Sequence, residues 1–142
     1  MIVSKKKMKT TPISCAADIA DVLHTMLSKE DEIDRTKEHF WVIGLNISNT
    51  ILYIDLCHLG GRNKCGVDIS CLFRTAIMKG VSSLIVAHNH PGGTLIASEN
   101  DKQLTQKIID AGKLLGISVL DHVIITESDH VSLRRDTVSF QF

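Results

Sequence analysis

An uninterrupted apolar run, Leu84-Ile85-Val86-Ala87, opens directly onto His88-Asn89-His90-Pro91. No other stretch constrains the fold as tightly. A short apolar run bounded by Gly80 and Pro91 predicts a strand buried on both faces. Pro91 disfavours the helical region for His90, so the backbone is expected to stay extended through the triplet. Alternate side chains of an extended chain share a face, which points His88 and His90 the same way, with Cα atoms about 6.6 Å apart. Two imidazoles at that spacing can converge on one ion, and Asp101, at the start of the next expected helix, offers a third ligand. Two neutral nitrogens and one carboxylate leave a fourth tetrahedral position for water, the layout of a catalytic zinc rather than a closed structural one. A His-x-His pair by itself defaults to partly buried structural histidines. Ser98-x-x-Asp101 also reads as a capping box at a helix start. The two readings of Asp101 are compatible, because a cap that fixes the helix start also fixes where Asp101 points.

Around this junction the pattern predicts elements of both kinds. Ser14 is placed as the cap of a helix to about Ser28, with Ala16, Ile19, Val22, Leu23 and Met26 on one face. The charged stretch Lys29 to Lys37 reads as a surface connection. Phe40 to Ile47 and Ile51 to Leu56, with Ser48-Asn49 between them, predict an antiparallel hairpin. Gly60 to Lys64 reads as a loop. A helix from about Asp68 to Lys79 carries Ile69, Leu72, Phe73, Ala76 and Ile77 inward and ends at Gly80. After the strand at 83–88 and a loop at 91–97, a third helix runs from Ser98 to Leu115, with Leu104, Ile108, Ala111 and Leu115 as its stripe. Ile117 to Ile125 predicts another strand, and Val131 to Leu133 and Thr137 to Phe140 short edge strands. Strands and helices interleave without strict βαβ alternation, so the expected fold is an α/β (α+β) domain with a mixed sheet flanked by helices. Residues 1–13 form an expected flexible lead and residues 14–142 one domain.

Composition narrows the function. The 142 residues are 44% hydrophobic, enough for one core. Sixteen basic residues balance sixteen acidic ones, so nothing announces a nucleic-acid partner. Aromatics at 4% argue against a base-stacking platform. No apolar run approaches the roughly 20 residues that span a bilayer, and no apolar segment follows the N-terminal lysines as a signal peptide requires. Cys15, Cys57, Cys65 and Cys71 lack C-x-x-C spacing and read as reduced thiols of a cytoplasmic protein. A zinc deaminase is excluded because no H-x-E is followed by P-C-x-x-C.

The spacing of His88-x-His90, ten residues and Asp101, with Ser98 three before it, resembles the H-x-H-x10-D motif of the JAB/MPN (JAMM) metalloproteases. It is closest to their RadC-like branch. The matching pieces are Glu38-His39-Phe40-Trp41-Val42, Gly60-Gly61, Ala76-Ile77, His88-Asn89-His90-Pro91-Gly92-Gly93, Ser98-x-x-Asp101-x-x-Leu104-Thr105 and Leu120-Asp121-His122, over roughly residues 14–126. The resemblance implies an MPN domain with a three-layer, cytidine deaminase-like arrangement. It implies zinc held by His88, His90 and Asp101, and a glutamate that hydrogen-bonds the metal's water. Glu38 fits that place; Glu30 and Glu32, in a charge run, fit it less well. Ser98 is the motif serine, capping the helix and stabilising an oxyanion. The implied reaction is hydrolysis of a peptide, isopeptide or other amide bond, zinc activating water and Glu38 moving its proton. His122 is expected to be a satisfied core histidine, ahead of a hydrogen-bond partner to a ligand. Asn89 is expected to point away from the ligands and tie down a loop. His24, His39, His58 and His130 read as structural or solvent-facing.

The sequence departs from that family at Gly92, where serine is usual, and at Thr94-Leu95-Ile96-Ala97, where prolines are usual. Ser70 stands where an arginine is common. The helix-hairpin-helix segment of longer RadC proteins is not expected within these 142 residues. Three functions remain open: a zinc-dependent hydrolase, a DNA-associated protein following the family's DNA-repair label, and a catalytically silent scaffold.

Overall fold

Alternation along three central strands decides the architecture. The computed structural model describes residues 11–60, 66–137 and 140–142. In chain order the elements are α1 (Ala16–Ser28), α2 (Glu32–Arg35), β1 (Glu38–Leu45), β2 (Ile51–Gly60), α3 (Ile69–Lys79), β3 (Ser83–Asn89), α4 (Glu99–Leu115), β4 (Ser118–Ile125), β5 (His130–Ser132) and α5 (Leu133–Asp136). The strands form one mixed sheet in the order β2-β1-β3-β4-β5. β3 and β4 are parallel, and the other neighbours are antiparallel.

Trp41, Ile43, Leu45, Ile85, Ala87, Val123 and Ile125 pack on one side against Ile19, Val22 and Leu23 of α1. Phe40, Val42, Leu84 and Val86 pack on the other against Leu72, Phe73 and Ala76 of α3 and Ile108 and Ile109 of α4. Helices thus cover both faces, and the expected three layers are present. β3 lies in the middle with every residue buried, as a continuous apolar strand requires.

Strict alternation breaks once where it matters. Leu84 pairs with Val119 but Ile85 pairs with Asp121, so β4 carries one extra residue at Leu120. Such an irregularity reverses the facing of every later residue in the strand. Val119 and His122 therefore both lie on the α4 side, His122 opposite Val86.

Several expected boundaries shift. α1 starts after Cys15, and Ser14 instead donates its N–H and O–H to Asp18 Oδ2, each at 2.9 Å. The Lys29–Lys37 connection contains α2, capped by Asp31. The hairpin forms, with β2 extending to Gly60; residues 61–64 of the expected loop lie outside the described residues. Asp68 caps α3 and Gly80 ends it in the left-handed region, but Ile77 is 58% exposed, because the last turn of α3 passes beyond the apolar cluster. Leu115 of α4 is likewise 47% exposed. The buried face of α4 is Asp101, Thr105, Ile108, Ile109 and Gly112. Apolar periodicity misses the two polar members of that face. β5 matches the first expected edge strand, but Leu133 begins α5, and the second falls partly on residues 138 and 139, outside the described set. Most of the expected N-terminal lead is also outside it; Ile13, its last residue, is buried and donates its N–H to Asn49 O at 2.8 Å.

Candidate metal centre

His88 and His90 sit where β3 runs out of strand partners. His88 pairs with Phe40 of β1 and Ile124 of β4. His90 lies one residue past the strand, and its N–H still reaches Ile125 O at 2.8 Å, so the backbone stays extended up to Pro91. Both side chains are buried on the face covered by α4. A turn closed by Gly93 N–H to His90 O at 3.0 Å then sends the chain toward α4. Ser98 caps that helix: its Oγ accepts from Asp101 N–H at 3.1 Å, and Asp101 Oδ2 accepts from Ser98 N–H at 2.9 Å. The capping box locks Asp101 into the first turn, facing the histidines.

The three donor atoms converge. His88 Nε2 and His90 Nε2 are 2.7 Å apart, and Asp101 Oδ2 is 3.4 Å and 3.2 Å from them. Bonds of 2.0–2.1 Å to a tetrahedral zinc put ligand atoms about 3.3 Å apart. The hydrogen bonds behind the histidines fix what those atoms present. His90 Nδ1 faces Thr94 O at 2.8 Å and must donate to it. In a neutral imidazole that leaves an Nε2 lone pair. Two imidazole lone pairs and a carboxylate pointed at one spot repel one another unless a cation lies between them, so the donor set fits a metal ion.

With no cation bound, a proton on the imidazoles takes that place. Burial alone would raise the Asp101 carboxyl, but hydrogen bonds to His88 and His90, the charge of His88 and the Ser98 N–H then hold it well below the usual carboxylate range. Burial alone would lower His90; its bonds to Asp101 and Thr94 O, with the negative charge of Asp101 and Glu38, leave it raised.

Glu38 opens β1, half-buried, opposite Gly60 of β2. Continuing the β1–β3 pairing of Phe40 with His88 by two residues sets Glu38 across from His90 on the ligand face, and its charge is felt there. Glu30 is elsewhere: its Oε2 pairs at 2.6 Å with Nε2 of His39, which is fully buried and stacks on Trp41 of the α1 face. Glu32 lies exposed in α2. Asn89 points away from the ligands, as expected, but it ties down a strand. Its Nδ2 donates to Lys37 O at 3.0 Å and its Oδ1 accepts His39 N–H at 2.5 Å, which grips the backbone on both sides of Glu38.

The described cysteines show no pairing with histidine. Cys57 neighbours Asp55, and burial, then that carboxylate, pushes its thiol up to about 12, so it stays protonated and unreactive. His24 bonds Thr126 O at 2.8 Å. His122 is fully buried and satisfied, as expected, yet one of its partners is His88 Nδ1 at 2.7 Å. The expectation that ranked this contact second is corrected. The other partner is Thr105 Oγ1 at 2.5 Å; Thr105 stands in the family pattern of the sequence but without an assigned role. Its signal was its place four residues after Asp101, on the same helix face.

The fold and this centre define a class: a three-layer α/β domain presenting two histidines and a carboxylate where its central strand meets a capped helix. The family model of the RadC-like JAB domain matches residues 13–138, and the chain belongs to that family. A UPF0758 protein of Desulforudis audaxviator is 40% identical over 98 residues, covering 69% of this chain and 43% of that protein. A UPF0758 protein of Chloroflexus aurantiacus is 34% identical over 130 residues, 92% of this chain and 55% of its own length. A third, from Flavobacterium johnsoniae, is 42% identical over 95 residues, with 67% and 42% covered. The chain spans about half the length of these curated relatives.

Proposed function

We propose that this domain is a zinc-dependent hydrolase of the JAMM type, acting on a peptide, isopeptide or other amide bond. The observation that carries the reading is the convergence of His88 Nε2, His90 Nε2 and Asp101 Oδ2 on one point. Three protein ligands leave one coordination place for chemistry. When bound there, zinc supplies a Lewis acid that polarises a carbonyl and acidifies water. Glu38, across from His90, is the group in place to take a proton from the attacking water and return it to the leaving amine. Ser98 Oγ accepts in the helix cap, which leaves its own O–H to donate to a developing oxyanion. Ile96, 78% exposed in the loop between the two ligand elements, offers an apolar contact to the substrate at the mouth of the site.

Neutral net charge supports the hydrolase over a DNA-binding role, since non-specific DNA affinity rests on cationic contacts to phosphates. The test is elemental analysis of the purified protein. About one zinc per chain is expected, lost in His88→Ala and in Asp101→Ala. Zinc retained at full occupancy in both variants refutes the ligand assignment. Glu38→Gln should keep the zinc and lose amide hydrolysis; hydrolysis that survives it removes Glu38 from the reaction.

A further inference from the structure

Behind His88, away from the three converging atoms, lies a second set of polar groups in an otherwise apolar layer. Thr105, His122 and His88 are all buried, and Phe40 packs against the rings of both histidines. Proton counting gives each hydrogen bond a direction. Thr105 Oγ1 is 2.6 Å from Asp101 O, a carbonyl that can only accept, so the threonine O–H donates there. With its one proton committed, Thr105 Oγ1 accepts at its contact with His122 Nδ1, which therefore carries the N–H. An imidazole buried with only a hydroxyl and another imidazole as partners stays neutral, because an unpaired buried charge is costly. His122 Nε2 is then bare and accepts from His88 Nδ1–H at 2.7 Å. His88 is left with its Nε2 lone pair toward His90 and Asp101.

We propose that Thr105 and His122 form a directional hydrogen-bond relay that fixes the His88 tautomer and couples it to the helix carrying Asp101, making them positioning residues for metal binding. The relay starts at the backbone of one ligand, Asp101, and ends on the ring of another, His88. It therefore joins α4 to β3 through β4. The proposal rests on reading His88, His90 and Asp101 as a metal centre. Partners of this kind govern ligand orientation and basicity, and their loss typically weakens metal affinity about 10–100-fold.

Two measurements test it. The first needs no variant: long-range 15N–1H correlation spectra should show Nδ1 protonated in both His88 and His122 and Nε2 bare in His122. An Nε2-protonated His122 overturns the relay. The second is zinc affinity by competition with a chromogenic chelator. Thr105→Val keeps the shape and removes the hydroxyl, so its zinc Kd should rise about 10–100-fold, while Thr105→Ser recovers most of the loss. Equal affinity in Thr105→Val and the unaltered protein overturns the relay, provided His88→Ala still abolishes binding; that result leaves the metal centre standing. Unaltered protein that takes up no zinc overturns the centre and the relay together.

Discussion

Asn89 shows how one side chain can substitute for a strand partner. β3 ends at Asn89 while β1 continues past it to Glu38, and the carboxamide supplies both an acceptor and a donor to the β1 backbone at His39 and Lys37. Asn89→Ala leaves the buried His39 N–H without its partner, while Lys37 O keeps its bond to His39 Nδ1 at 2.8 Å. Denaturant unfolding should show a loss of about 1–3 kcal/mol, the cost of an unsatisfied buried group; an unchanged midpoint would mean that water replaces the carboxamide. That His88 and His90 share a face and that Ser98 and Asp101 open a helix was legible from period two on a strand and a four-residue cap, which are local geometry; their reading as a site came from the family resemblance. The roles of Asn89, Thr105 and His122 were not legible, since each depends on a group 17 or more residues away.

Among the elements, α4 and β4 set the site's third dimension. The stripe of α4 that faces the sheet is turned from the one its leucines suggest and carries Asp101 and Thr105 inward. Gly112 permits that docking: a Cβ there would sit 2.5 Å from Ile117 O and 2.9 Å from a Val119 methyl. Alanine gains up to about 1 kcal/mol of helix propensity over glycine, but the clash is with backbone and cannot rotate away. Gly112→Ala should therefore destabilise the protein by about 1–3 kcal/mol, measured by denaturant unfolding; a stabilised variant would show that α4 can shift outward freely. The extra residue at Leu120 has an equally local cause and a wider effect, since it places His122 beside His88 instead of against α1.

Across the whole molecule, the sheet separates an apolar half under α1 from a half under α3 and α4 that holds the polar centre at one end. A ligand that binds only the folded state stabilises it by about 2.7 kcal/mol at a hundred times its Kd. Zinc at that excess should raise Tm on the order of 10 °C for a domain of this size, and a chelator should reverse it. His88→Ala should show neither change; a shift of the same size in that variant would place the stabilising ion elsewhere. The amino-acid order by itself determined the buried central strand, the histidine pair at its end and the capped helix start, because each is written in residues within a dozen positions of one another, and the family pattern, because its residue types and spacings can be read along the chain without knowing how they meet. Only the tertiary structure decided which face of α4 meets the sheet, that Glu30 pairs with His39 on the other side, and that a buried threonine and histidine back one of the ligands. Those choices depend on strand register and close approach between distant segments, quantities that no local spacing encodes.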